Sequence, residues 1–218
     1  SLLSVGVQAA TALGSFRDGA QYALTLLLAS PNFIYRRELG DPAATGTGPR
    51  RFTDWEMASR LAFFLWDTTP DTALLDAAEA GLLSTADGLA AQVDRMLADP
   101  KAQQGVRAFF DQWLGLHEAL DLSKDPNVFK HFEPGLGEDA REETLRVVDH
   151  VVFDEDADFR TLLTTRTTFV TPRLAAIYNI PSPVSAGFAQ VTLPADGARA
   201  GVLGHVSLLA THSHPTSS

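Results

Sequence analysis

Thr53-Asp54-Trp55-Glu56-Met57-Ala58-Ser59-Arg60-Leu61-Ala62-Phe63-Phe64-Leu65-Trp66 is the stretch that decides the fold class. It opens as a capping box. The Thr53 hydroxyl can accept from a first-turn amide while the Glu56 carboxylate reaches back to the cap, so a helix begins at Asp54. Trp55, Ala58, Leu61, Ala62 and Leu65 recur at helical spacing and form one stripe. Met57, Phe63, Phe64 and Trp66 widen that stripe until the helix is apolar nearly all round, which is the pattern of a central core helix.

Upstream, Gly40 to Pro49 is rich in Gly, Pro, Ala and Thr, a composition that favours an exposed connection. Before it, Phe16 to Ile34 carries Tyr22, Leu24, Leu26, Leu27 and Leu28, which suit a buried helix halted near Ser30-Pro31. Downstream, Thr69-Pro70 reads as a cap with a first-turn proline, opening a short helix through Leu74, Leu75 and Ala78 that Gly81 closes. Ser84 to Asp87 repeats the capping logic ahead of Leu89, Val93, Met96 and Leu97. After Asp99-Pro100, a second stripe runs through Val106, Phe109, Phe110, Trp113 and Leu114. Asp121 to Gly137 reads as a loop pinned by Phe129 and Phe132 and able to cover a cleft. Helical periodicity returns from Glu138 to Phe153, and Thr171-Pro172 caps a helix carrying Leu174, Ile177 and Tyr178. After Pro181, Phe188 to Leu193 alternates like a short strand and Gly201 to Thr211 starts a helix.

The fold class that follows is mainly α: a multi-helix orthogonal or bundle-like core with a small β or irregular element near the C-terminus. Three segments are expected: a helical arm over 1–40 ending an upstream domain, a helical core domain over 50–181, and the start of a truncated C-terminal domain over 182–218. Ser1 opens no basic-then-apolar leader, and the run from His212 to Ser218 closes no element. Both ends therefore read as limits of a fragment, cleavage sites or points where a longer chain continues.

Composition narrows the function classes. In 218 residues, 17 Lys and Arg stand against 27 Asp and Glu, a formal charge of −10 that disfavours nucleic acid and anionic lipid as partners. The chain has no cysteine, which rules out disulfides, zinc-thiolate sites, thiol nucleophiles and covalent c-type haem attachment within it. Its longest strongly apolar stretch, Tyr22 to Ala29, is far shorter than the roughly 20 residues of a membrane-spanning helix. No Gly-x-Ser-x-Gly and no phosphate loop support a hydrolase or nucleotide reading.

Several strings share an order. Leu28-Ala29-Ser30-Pro31-Asn32-Phe33 precedes Tyr35, Arg36 and Glu38; Ser59 to Trp66 precedes Pro70-Asp71; then come Arg95 to Pro100, Gln112-Trp113-Leu114, Glu143-Thr144, and Gly201-Val202-Leu203 leading to the terminal His-Pro-Thr-Ser run. Together they resemble one bacterial multidomain family of unknown function, found in exported proteins of the planctomycete and myxobacterial type, over nearly the whole chain. The resemblance implies a periplasmic or cell-surface location. It also implies a Cys-x-x-Cys-His haem-attachment motif outside this segment, with haem c carried by the full-length protein rather than by these residues. Partners implied are the remainder of the same polypeptide or a cytochrome-bearing protein.

Candidate site residues cluster at the end. His212 and His214 sit at i, i+2, which in an extended strand places both imidazoles on one side. His205 lies seven residues earlier, so on a continuous helix it shares a face with His212 at roughly 10 Å, too far for one metal yet suited to lining one pocket. These three are the candidate haem-proximal residues. Glu142, Glu143, Asp149 and His150 lack the Glu-x-x-His spacing of bundle di-metal sites, because Val147 lies three residues before His150. Glu142 with Arg146 reads as an exposed i, i+4 pair, and Asp154, Glu155, Asp156 and Asp158 as a solvated acidic turn. Two functions fit: the helical part of an exported cytochrome-linked redox protein, or a non-catalytic interaction or scaffold subunit of a larger periplasmic or surface complex. A large apolar face left open would favour the second.

Overall fold

The computed structural model describes residues 2–43 and 48–216. The fold is mainly helical with one small antiparallel sheet near the C-terminus. Contacts divide it into two compact units, Ser1–Phe63 with Thr68–Val93, and Phe64–Asp67 with Asp94–Ser218.

The first unit opens with helices α1 (Leu2–Leu13) and α2 (Phe16–Leu28), an antiparallel hairpin followed by the single turn α3 (Pro31–Ile34). Ser15 caps α2 by accepting from the Asp18 amide at 3.2 Å. The hairpin closes on small residues: a Cβ added at Gly19 would lie 2.5 Å from the Ala10 Cβ and 2.6 Å from the Gly6 carbonyl oxygen, so only glycine allows this approach. Helix α4 (Asp54–Trp66) starts where the capping box places it. The Glu56 carboxylate accepts from the Thr53 amide at 2.8 Å, and the Glu56 amide donates to the Thr53 hydroxyl at 3.2 Å. Glu56 also takes the amides of Leu39 and Gly40, tying the preceding strand of chain to the helix start. Helix α5 (Thr72–Glu79) is capped by Asp71, which accepts from the Leu74 amide at 2.9 Å, two residues later than the expected Thr69 cap. Gly81 stops it at φ +70°, and α6 (Ala86–Leu97) follows, capped by Thr85.

Two expectations about burial in this region need correcting. In α2, Gly19 is the buried residue, whereas Tyr22, Leu24, Leu26, Leu27 and Leu28 are exposed, because the hairpin is held through its small-residue face. In α4, the core-facing residues are Ala58, Ala62 and Trp66, while Trp55 is half exposed and Phe64 is 83% exposed. The helix is one-sided rather than buried all round.

The second unit takes in the end of α4. Trp66 is buried there with its indole N–H on the Met96 carbonyl at 2.9 Å. Helix α7 (Lys101–Trp113) packs on α8 (Leu136–Asp149), the longest helix, which continues as one π turn over His150–Asp154. A 3₁₀ segment, Leu116–Asp121, crosses so close to α8 that a Cβ at Gly137 would sit 1.8 Å from the Ala119 carbonyl oxygen. Strand β1 (Thr167–Val170) pairs with β2 (Ala189–Thr192) in the register Thr167 to Thr192 through Val170 to Ala189. Between them lies α9 (Pro172–Tyr178), capped by Thr171 as expected. Helix α10 (Val206–Thr211) ends the regular structure.

Helix α8 contributes to two apolar clusters. Phe110, Leu145, Val148, Leu162 and Val202 centre one, and Leu136, Ala140, Val170, Leu174 and Val206 the other. Burying several such side chains at about 1.5–3 kcal/mol each is what makes α8 the spine of this unit.

Candidate functional site

The second unit carries a buried polar cluster on α8, built from two adjacent residues that face different partners. Glu143 is 0% exposed. Its carboxylate accepts from the Thr168 hydroxyl on β1 at 2.6 Å and, with both oxygens, from the Tyr178 phenol on α9 at 2.7 Å. The phenol oxygen in turn accepts from the Val206 amide at 3.3 Å, at the start of α10. The Arg199 guanidinium lies 5.0 Å from the Tyr178 ring centroid and donates to the Gly204 carbonyl at 2.8 Å. Thr144 turns the other way: its hydroxyl lies 3.0 Å from His205 Nδ1 and 2.8 Å from Ser207 Oγ.

Burial governs the titration of these groups. It pushes the Glu143 carboxyl up to about 7, against hydrogen bonds from Thr168 and Tyr178 and the positive charge of Arg199. It also raises the Tyr178 phenol well above its ordinary range, with the Glu143 charge adding to the effect. His205 is pushed down to about 4 by burial and then by Arg199, so its imidazole is neutral in the folded chain at neutral pH. A carboxyl that changes charge near pH 7 has the acidity of a general acid or base, but complete burial separates Glu143 from any solute. What this geometry does is bind α8, β1, α9 and the segment 199–207 into one piece.

Beside this cluster lies a cavity of about 570 Å³. The expected loop between Asp121 and Gly137 forms one wall through Phe129 and Phe132, and α10 forms another through Val206, Leu209 and Ala210, joined by Ser213 just beyond its end. Lys124 clips the two walls together: its ammonium donates to the Ser213 carbonyl at 2.7 Å, the Ser213 hydroxyl at 2.8 Å and the His214 carbonyl at 3.4 Å.

The three candidate histidines have separate surroundings. His205 is buried on Thr144, His212 is exposed with Nδ1 2.9 Å from the Leu208 carbonyl, and His214 is exposed beside the Thr216 hydroxyl at 3.1 Å. None of them lines the 570 Å³ cavity, because the α10 face turned toward it is the one offset from them. Among the described residues no group of three or more His, Asp or Glu side chains could hold a metal ion. The acidic residues after α8 are turned to local partners: His150 lies 3.1 Å from Asp154 and 3.3 Å from Glu155, and Asp158 pairs with Arg160. Glu142 does pair with Arg146 at 2.9 Å and also meets Arg107, which reaches on to Asp149 at 2.6 Å.

A family model described as PSD4, protein of unknown function (DUF1592), matches residues 52–180. The chain belongs to this family. The matched part runs from just before the α4 cap to just after α9, so it holds Glu143, Thr144, Thr168 and Tyr178, while Arg199, His205 and Ser207 lie beyond it. No curated protein and no solved structure matches the chain. Sequence reading weighs Glu143 only for the Glu-x-x-His spacing of a metal site and does not place it at the centre of a buried polar cluster. Its signal was there: with Ala140 three before it and Val147 four after it, Glu143 occupies a position in the apolar stripe of α8.

The first unit holds a different feature. Fourteen of the twenty-eight exposed large apolar side chains among the described residues fall between Leu3 and Leu39, which marks the hairpin region as unusually uncovered. Arg17 and Asp18 are the charged residues of α1 and α2. A groove of about 480 Å³ runs along the hairpin, floored by Gly6, Ala10, Gly19, Ala20 and Ala23.

Proposed function

We propose that the chain is an interaction module of a larger exported assembly, docked through the α1–α2 hairpin onto an apolar helix supplied by that assembly. The observation that carries this reading is the exposed, nearly uncharged apolar surface of the hairpin, including Leu3, Val7, Phe16, Tyr22, Leu24 and Leu28. Helices of 12 and 13 residues are marginal in water without tertiary packing, so a hairpin with this surface gains most of its stability from what covers it. The groove floored by glycine and alanine fits the occupant, since small residues let a third helix approach closely and seat its own large side chains.

The family resemblance supports the exported setting and points to a cytochrome as the place where electron transfer would occur, in the same polypeptide or in a partner. This module would then position that chemistry rather than perform it. The test is hydrogen exchange on the hairpin amides, comparing the isolated chain with the assembly purified from its native source. Exchange in seconds when isolated and strong protection in the assembly are expected. Equal exchange in both would refute the docking role. A visible absorption spectrum of the same assembly decides the cytochrome link: a Soret band supports it, and a colourless assembly that still protects the hairpin removes it.

A further inference from the structure

We propose that the 570 Å³ cavity of the second unit is a binding site for a small amphipathic carboxylate, an organic acid with an aromatic or branched aliphatic body. The size falls within the range of small-molecule sites, roughly 300–1,000 Å³. The walls supply the apolar half of the recognition: Phe129 and Phe132 from the loop, Leu136 and Ile177 from α8 and α9.

The charged half is the more specific observation. In a chain of net charge −10, the cavity is lined by Lys124, Lys130 and Arg199 and by no Asp or Glu. Lys124 is 8% exposed, and each oxygen it meets is neutral, belonging to a carbonyl or a hydroxyl. Its ammonium is largely covered, satisfied by these oxygens and by the Phe129 ring 5.5 Å away, with no anion against it, and an anion in the cavity would supply the missing counter-charge. Arg199 spends one nitrogen on the Gly204 carbonyl, and the fork geometry of a guanidinium suits a carboxylate. Lys130 is exposed at the rim and adds attraction for an incoming anion.

This inference is independent of the hairpin, which lies in the other unit. The probes are 3-phenylpropionate and its neutral amide, titrated into the whole chain and followed by amide chemical shifts and calorimetry. The carboxylate is expected to bind with a Kd on the order of 1 mM or below and to shift resonances of the 122–136 loop and of α10. The amide, matched in shape, is expected to bind about tenfold more weakly, the equivalent of one lost charge-assisted hydrogen bond. Because Lys124 also clips the walls together, Lys124→Met alone would be ambiguous. Lys130→Glu at the exposed rim keeps the fold and is expected to weaken the carboxylate several-fold while leaving the amide unchanged, and Leu209→Trp, filling the cavity mouth, is expected to abolish both. Equal binding of acid and amide, or shifts confined to the hairpin, or no shift at about 10 mM, would overturn the proposal.

Discussion

Replacing Glu143 by glutamine should make the stability of the second unit respond to pH in a direction that the parent chain conceals. The folded carboxyl titrates at about 7 against an ordinary value of 4.5, so between those pH values the folded state holds a proton that the unfolded state has released. Stability contributed by Glu143 is present below pH 4.5 and is lost as pH rises through 7. At about 1.4 kcal/mol per unit, the full loss is about 3 kcal/mol. His205 works in the opposite sense. Its folded value of about 4 lies below the ordinary 6.5, so its contribution is present above 6.5 and is lost as pH falls toward 4, again by about 3 kcal/mol. The two slopes oppose each other across pH 4.5–6.5 and largely cancel in the parent. Urea unfolding followed by circular dichroism at half-unit pH intervals separates them. Relative to the parent, Glu143→Gln should gain about 3 kcal/mol between pH 4.5 and 7.5, whatever its stability at the acidic end. His205→Asn, which keeps a hydrogen-bonding group near Thr144, should gain a similar amount on going from pH 7 down to 4. A difference between Glu143→Gln and the parent that stays constant with pH would refute the assignment of a buried, near-neutral carboxyl.

Substitutions at three further positions test the network and packing on this spine and, separately, the α4 cap of the first unit. Tyr178→Phe removes the phenol that serves both Glu143 oxygens and the Val206 amide, and should cost roughly 1–3 kcal/mol, more at pH 8 than at pH 5 because the ionised carboxylate loses most; an equal loss at both would count against the network. Gly137→Ala places a methyl group 1.8 Å from a backbone oxygen that cannot swing away, and should lower the urea midpoint by the equivalent of roughly 2–3 kcal/mol, with an unchanged midpoint showing that the crossing of 116–121 over α8 is looser than described. Thr53→Ala should cost about 1 kcal/mol through loss of the α4 cap, read by the same melt, and Thr53→Ser should restore it.

Much of the fold was legible because local chemistry specifies it. The capping box at Thr53, the Thr171-Pro172 start of α9 and the stop at Gly81 each rest on interactions within a few residues, and the structure keeps all three. The loop between Asp121 and Gly137 walls a cavity through the two phenylalanines picked out as its pins. Strand β1 was not legible: Thr167 to Val170 is four residues long, and its identity depends on β2, some twenty residues away. Burial in α2 was misread for a related reason. Apolar periodicity states that a face can be covered, whereas what covers it is a matter of partners, and Gly6, Ala10 and Gly19 close the hairpin without using the leucines. The cations of the cavity escaped notice because Lys124, Lys130 and Arg199 are brought together by the fold and share no spacing in sequence.

The placement of a carboxyl at the centre of this unit calls for a reason other than stability, since a well-packed apolar residue in its place would avoid the cost of burial. The reason lies in what the cluster holds. Helix α10 has six residues, too few to stand without tertiary support, and the chain entering it is joined to the spine by polar contacts as well as by the buried Val202 and Val206. Tyr178 fixes the Val206 amide, Thr144 fixes His205 and Ser207, and Arg166 collects the carbonyls of Pro194, Gly197 and Arg199. An apolar core would accept α10 in several rotations, whereas these directional bonds accept one. That rotation turns Val206, Leu209, Ala210 and Ser213 toward the cavity and brings Ser213 onto Lys124. The cavity wall is therefore set by Glu143 and Thr144 at one remove, and any loosening of their network should reach the cavity, which shares Leu136, Ile177 and Val206 with the second apolar cluster.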